Sequence, residues 1–208
     1  MDRAHSVFVY DHHKTAAEDC GDIDSCLFDM DRSGAGLAWD IFAARDTIDG
    51  ARPWLVSYVE DRDLWRFALP RSKEINAYVS ACEQTFAAWD AMAALPLVAA
   101  ADRGAAVLAY VDRYVSEMSK HAIRGRICGH DSIPIVNAPY INTSELVGAL
   151  AETAPFAVGW FVRADGDVQY SLRSRGEHGV DVSAIAKAQG GGGHRNAAGF
   201  VSAQLPRA

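Results

Sequence analysis

Two short runs at opposite ends of the 208-residue chain hold most of the residues that can do chemistry. Asp11-His12-His13-Lys14-Thr15-Ala16 follows an apolar run, Val7-Phe8-Val9-Tyr10, which reads as a short buried strand. A carboxylate and two imidazoles would then stand at the C-terminal lip of a strand, where open α/β sheets bind ligands. The second run is Gly190-Gly191-Gly192-Gly193-His194-Arg195-Asn196-Ala197-Ala198-Gly199-Phe200. Without β-carbons, Gly191, Gly192 and Gly193 let backbone amides approach an anion closely, and His194 adds a donor. A cation-binding end and an anion-cradling end in one chain imply chemistry on a phosphate ester. Each run also has a plainer reading. The first can be a solvated strand end and the second a flexible linker, although the small residues after the glycines suit close packing better.

The elements that must position these runs fall into two patterns. After the Asp-His-His strand, residues 18–31 are polar, and Ser33 is an N-cap for an Ala-rich helix to about Thr47, stopped near Gly50. Pro53 opens a second helix carrying Glu60-Asp61-Arg62-Asp63-Leu64-Trp65, closed by Pro70. Ser72 is expected to cap an amphipathic helix over residues 73–94, with Ile75, Val79, Cys82, Phe86 and Trp89 along one side and Trp89 in the core. Residues 95–104 read as a joint, and residues 105–122 as a connecting helix. The period then changes. Residues 123–128 and 133–138 read as strands, Ser144 caps a helix to about Glu152, and residues 156–163 pair with 168–173 through Asp165-Gly166. A short helix over 182–189 leads into the glycine loop, and residues 199–202 form a last strand.

Composition bounds the answer. Half the residues are apolar and 23% are charged, an ordinary globular balance. No apolar stretch reaches membrane-spanning length, residues 95–101 being too few, and no signal peptide is visible, so no membrane partner is expected. Cys20, Cys26, Cys82 and Cys128 lack CxxC spacing and read as reduced thiols in a cytoplasmic setting. A net charge of −7 argues against a generic grip on duplex nucleic acid. Residues 1–103 hold 10 Lys/Arg against 18 Asp/Glu, whereas residues 104–208 hold 10 against 9. An acidic half suits cations. The near-neutral half, where Arg173 can grip a phosphate bidentately and Ser174 can add a hydroxyl donor, suits a small phosphate group. His121, His130 and His178 lack partners at useful spacing.

Taken together, Asp11–Ala16, the glycine-histidine loop and Tyr170-Ser171-Leu172-Arg173-Ser174 resemble the DHH phosphoesterase superfamily with its C-terminal DHHA1 domain. Ser33-Gly34-Ala35 and Glu60–Trp65 are most similar to its branch of oligoribonucleases and cyclic-nucleotide phosphodiesterases. The resemblance implies an α/β (α+β) fold: a partial, mostly helical DHH domain over 1–98, a linker helix over 99–122 and a small DHHA1 domain over 123–208. It implies a phosphodiesterase using manganese, with magnesium as the alternative, on short oligonucleotides or nucleotide phosphates, and a homodimer as a further expectation. His12 becomes a metal ligand, Asp11 orients the neighbouring imidazole and His13 faces the phosphate as a catalytic group. Asp61 matches the last metal-binding aspartate, with Asp63 as fallback; the plain alternative is an exposed helix end paired with Arg62 or Arg66. The family's first Asp-x-Asp motif has no counterpart on an N-terminal strand here. The chain is therefore expected to be catalytically incomplete as it stands, and a non-catalytic nucleotide-binding module is the competing reading.

Overall fold

The computed structural model describes residues 4–44, 51–176 and 179–206, and these divide into two compact units. Unit 1 draws on residues 1–12 and 19–111, and unit 2 on residues 13–18 and 112–208. Together they give the α+β class expected from the sequence.

Unit 1 contains a two-stranded parallel sheet, β1 (Val9–Asp11) with β2 (Cys26–Phe28), in the register Val9↔Cys26. Its helices are α2 (Gly34–Ala44), α3 (Trp54–Asp63), α4 (Ser72–Ala81) and α5 (Phe86–Ala93). The 23-residue α6 (Leu97–Ser119) begins in this unit, and α1 (Lys14–Cys20) ends in it. The core forms where Tyr58 of α3, Ile75 of α4 and Ala101 of α6 meet, with Trp54, Leu69, Val79 and Leu97 around them. Ser33 does cap α2, its hydroxyl accepting the Gly36 amide at 3.0 Å. The expected end of that helix near Thr47 and Gly50 lies outside the described residues.

Several expectations for this unit are corrected. The apolar strand is not buried: Phe8 is 57% exposed, because β1 has β2 as its sole strand partner among the described residues. Residues 18–31 are not merely polar loop, since they contain the end of α1 and all of β2. The single helix over 73–94 is two helices. Cys82 turns extended, the Gln84 side chain donates to the carbonyls of Val79 and Cys82, and the Thr85 hydroxyl caps α5 through the Ala88 amide. That break rotates the second segment, so Phe86 is 82% exposed and Trp89 is half-buried rather than core. Arg71, in the left-handed conformation, takes the N-cap position of α4 in place of Ser72. Residues 97–104, read as a joint, are helical.

Unit 2 is a six-stranded mixed sheet in the order β3-β4-β5-β6-β8-β7. The strands are β3 (Ile123–Ile127), β4 (His130–Asn137), β5 (Ala157–Val162), β6 (Val168–Arg173), β7 (Gly192–His194) and β8 (Ala197–Ser202). Among the described residues, the α-helices α7 (Thr143–Leu150) and α8 (Val182–Ala188) lie wholly within it. Val168, Tyr170 and Leu172 alternate onto one face, where they pack with Phe156, Val158 and α8's Val182 and Ala186. The opposite face packs Val136 and Ala157 against Leu146 and Val147 of α7 and the end of α6. The β5–β6 hairpin turns at Gly166, whose φ of +92° is why glycine follows Asp165. Ser144 is not the cap of α7; Asn142, at φ 57°, holds that place. Nor is the glycine run all loop. Gly192–His194 form an edge strand on β8.

Candidate functional site

In unit 1 the Asp-His-His run leaves the end of β1 with Asp11 folded back, its Oδ1 accepting the His12 amide at 2.7 Å. His12 is buried, and its Nε2 lies 3.2 Å from Oδ2 of Asp63, which is about half exposed at the end of α3. The sequence favoured Asp61, but both Asp61 oxygens are engaged by backbone. Oδ1 accepts from Ala68 at 2.9 Å and Oδ2 from Leu69 at 3.3 Å, which closes the turn after α3. The carboxylate brought to His12 is thus the fallback, Asp63.

Glu60, one residue before Asp61, was missed as a structural centre. Its Oε2 accepts from the Ser33 amide and hydroxyl and from Arg32, and its Oε1 accepts from Arg52. Burial alone would raise this carboxyl, but the Ser33 amide and the two guanidiniums outweigh it and hold it below the ordinary glutamate range. A side chain at Gly36 would collide with Glu60, so the glycine three positions after Ser33 belongs to the same arrangement.

In unit 2 a cleft of about 580 Å³ opens on the sheet face away from α8. Its floor is Ser171 and Arg173 of β6 with Gly199 and Ala197 of β8, and its walls include Gly192, Gly193, His13 and Thr15. The half-buried Arg173 guanidinium donates to the Ser144 hydroxyl at 2.8 Å and to its own Leu172 carbonyl. The His13 ring stacks on the His194 ring at 4.3 Å between centroids.

Three ties hold the 13–18 segment. Gly193 donates its amide to Thr15 Oγ1 at 3.2 Å, Lys14 pairs with Asp181, and Glu18 pairs with Lys187. Asp181 also caps α8 through the amides of Ser183 and Ala184. Burial pushes its carboxyl up, yet the Lys14 ammonium, the Ser183 hydroxyl and the Ala184 amide together bring it down to about 2.

Of the residues singled out from sequence, His13, Arg173, Gly192 and Gly193 line the cleft. Gly191 packs instead against Gly199 and Phe200, and Ser174 is buried with its hydroxyl accepting from Asn196. Ser171 and Thr15, which do line it, were passed over. Period-2 alternation from Arg173 marks Ser171, whereas Thr15 depends on a long-range contact that local pattern does not carry. His130 meets the Phe156 ring edge-on, His121 is exposed, and His178 lies outside the described residues. The four cysteines are free thiols. Among the described residues no single helix is long and apolar enough to cross a membrane.

Residues 136–208 match the DHHA1 domain family. An uncharacterized protein, R106, of Acanthamoeba polyphaga mimivirus is 31% identical over 208 residues, covering 95% of this chain and 48% of the viral protein. The chain thus spans about half the length of the curated relative it matches. Among solved structures, a pGpG-specific phosphodiesterase, PggH, from Vibrio cholerae superposes with a TM-score of 0.44 at 9% identity, over 81% of this chain and 67% of that one. An uncharacterized protein from Helicobacter pylori G27 gives 0.28 at 15% identity, over 98% and 70%. At these scores the superpositions carry no functional argument.

Proposed function

We propose that this chain, which carries a DHHA1 domain and so has support for a place in the DHH/DHHA1 superfamily, serves a metal-dependent phosphodiesterase of short oligonucleotides or cyclic nucleotides. The observation that carries the reading is the unit 2 cleft. An arginine anchored by Ser144 stands over a floor of glycine, alanine and serine, with His13 on its wall. A guanidinium matches a phosphate's paired oxygens, and a floor without bulky side chains lets the phosphate approach the sheet.

In this reading Arg173 holds the phosphate and His13 donates to one of its oxygens. Thr15 fixes the edge strand whose Gly192 and Gly193 line the cleft. Manganese, with magnesium as alternative, would be held in unit 1 by His12 and Asp63. An imidazole nitrogen and a carboxylate oxygen 3.2 Å apart suit two ligands of one ion, and the mixed nitrogen and oxygen set suits manganese. Such an ion supplies an activated water. Asp61 does not fit the ligand role while both its oxygens serve backbone amides. That commitment favours a second reading, nucleotide binding without cleavage.

Calorimetric titration with a mononucleotide and a manganese-dependent dinucleotide cleavage assay test both readings. Binding lost in Arg173→Ala, with turnover lost in His12→Ala, supports the enzyme. Binding without turnover selects the binding module, and no binding at all refutes both.

A further inference from the structure

The sheet register of unit 2 lays three rows of side chains on the cleft face. Ala157, Arg173 and Ala197 are in register, as are Gly159, Ser171 and Gly199, and then Phe161, Gln169 and Val201. The residues between them, Val158, Leu172 and Ala198, are in the core on the other side. Successive rows lie two residues apart, roughly 6.6–6.8 Å. In the first two rows the β6 and β8 residues, Arg173, Ala197, Ser171 and Gly199, are the cleft floor, whereas Ala157 and Gly159 of β5 lie beneath α7. The third lies outside the cleft walls on the same face, and its character changes abruptly from small to apolar.

We infer that this third row, with Tyr140 beside it, is a nucleobase shelf next to the phosphate cleft; the inference rests on the phosphate reading of that cleft. Phe161 is half-buried and its ring lies 6.3 Å from that of Tyr140, tilted by 49°. Tyr140 is 73% exposed and Val201 is 39% exposed, so an aromatic pair and an aliphatic side chain face solvent on either side of Gln169. Gln169 Nε2 donates to the carbonyls of Tyr170 and Phe200 at 3.2 and 3.3 Å. Its amide nitrogen is committed to the sheet, which leaves the carbonyl oxygen to accept from an exocyclic amine.

The occupant follows from continuity. A ligand whose phosphate is held by Arg173 over the glycine floor extends along the strand direction, and one row on it meets aromatic faces. Every base has a π-face, so stacking of this kind tolerates sequence while rewarding a base over a bare sugar phosphate. A sugar phosphate has no use for the shelf.

The test compares adenosine monophosphate, ribose 5-phosphate and adenosine as titrants of the whole chain. Wild type is expected to bind the nucleotide at least about tenfold more tightly than ribose 5-phosphate. Tyr140→Ala and Phe161→Ala should each weaken the nucleotide several-fold to tenfold and leave ribose 5-phosphate unchanged. Phe161→Tyr should retain wild-type affinity, and Tyr140→Ala alters an exposed side chain and so separates stacking from folding. Equal binding of nucleotide and ribose 5-phosphate, lost together in Arg173→Ala, leaves the cleft standing and overturns the shelf. Adenosine binding weakened by Tyr140→Ala, with no ribose 5-phosphate binding, upholds the shelf and overturns the cleft. Self-association abolished by Tyr140→Ala with nucleotide affinity unchanged would make this face a protein interface and refute the inference.

Discussion

Thr15 Oγ1 accepts the Gly193 amide at 3.2 Å and stands 2.7 Å from where a β-carbon on Gly192 would project. One hydroxyl therefore fixes the edge strand and forbids a side chain on it. Gly192→Ala is expected to destabilise unit 2 by about 1–3 kcal/mol through overpacking. Thr15→Ala costs the hydrogen bond but removes the obstacle, so the double variant should be more stable than the sum of the single effects predicts, by roughly 0.5–3 kcal/mol. Urea denaturation of the four proteins gives the coupling; strictly additive losses would show that the two residues do not constrain each other.

Asp181 links the same segment to acid sensitivity. Its carboxyl lies at about 2 in the folded chain against an ordinary value of 3.8. A folded-state value below the unfolded one stabilises above pH 4 or so and is lost as pH falls toward 2. Lys14, its main partner, is 46% exposed, so screening reduces the full linkage figure to about 1–2 kcal/mol at neutral pH. Asp181→Asn should therefore lower unfolding free energy by that amount at pH 7, and the gap to wild type should shrink to about half by pH 3. A gap that is constant across this range would exclude the carboxylate's charge as its source.

How far the sequence revealed all this depended on whether a feature was local. Period-2 alternation on β6, the Asp-Gly hairpin turn and the Ser33 cap are decided by neighbouring residues, and all three are found. The break between α4 and α5 was missed because residues 73–94 keep apolar helical spacing throughout. What breaks them is a Thr85 cap competing with continuation, a contest that periodicity does not register. Phe8 and Val9 read as buried because apolar runs in α/β chains are usually covered on both faces, and here the sheet has two strands among the described residues. The choice between Asp61 and Asp63 was not legible at all. It turns on which carboxylate meets the amides of Ala68 and Leu69, where Phe67 adopts a φ of +48°.

That choice separates two variants. Asp61→Asn leaves one oxygen to accept two amides and turns an NH2 group toward a donor, so it should cost about 1–3 kcal/mol in thermal or urea unfolding. Asp63→Asn, at a half-exposed position, should change stability by less than about 0.5 kcal/mol. Titration with manganese, followed by the loss of its free paramagnetic signal, should show weaker binding in Asp63→Asn. Unaltered manganese binding in Asp63→Asn, together with a stable Asp61→Asn that binds none, would return the ligand role to Asp61.

The cleft arginine serves the fold as well as the cleft. Arg173 is half-buried and bonded to Ser144 on α7, so Arg173→Ala should cost both affinity and some stability. A charge-assisted contact is worth roughly 1.5–3 kcal/mol, which corresponds to at least tenfold weaker mononucleotide binding. Ser144→Ala divides the two effects. It keeps the guanidinium but removes the hydroxyl that orients it, so affinity should fall by less than in Arg173→Ala, with the difference measuring what orientation contributes. Arg173→Lys keeps the charge without the planar fork and should also bind weakly, because a point charge cannot engage two phosphate oxygens at once. Calorimetric titrations of the three variants beside wild type check this order. If Lys restores full affinity, the cleft attracts phosphate by charge alone, and the anchoring by Ser144 has no part in recognition.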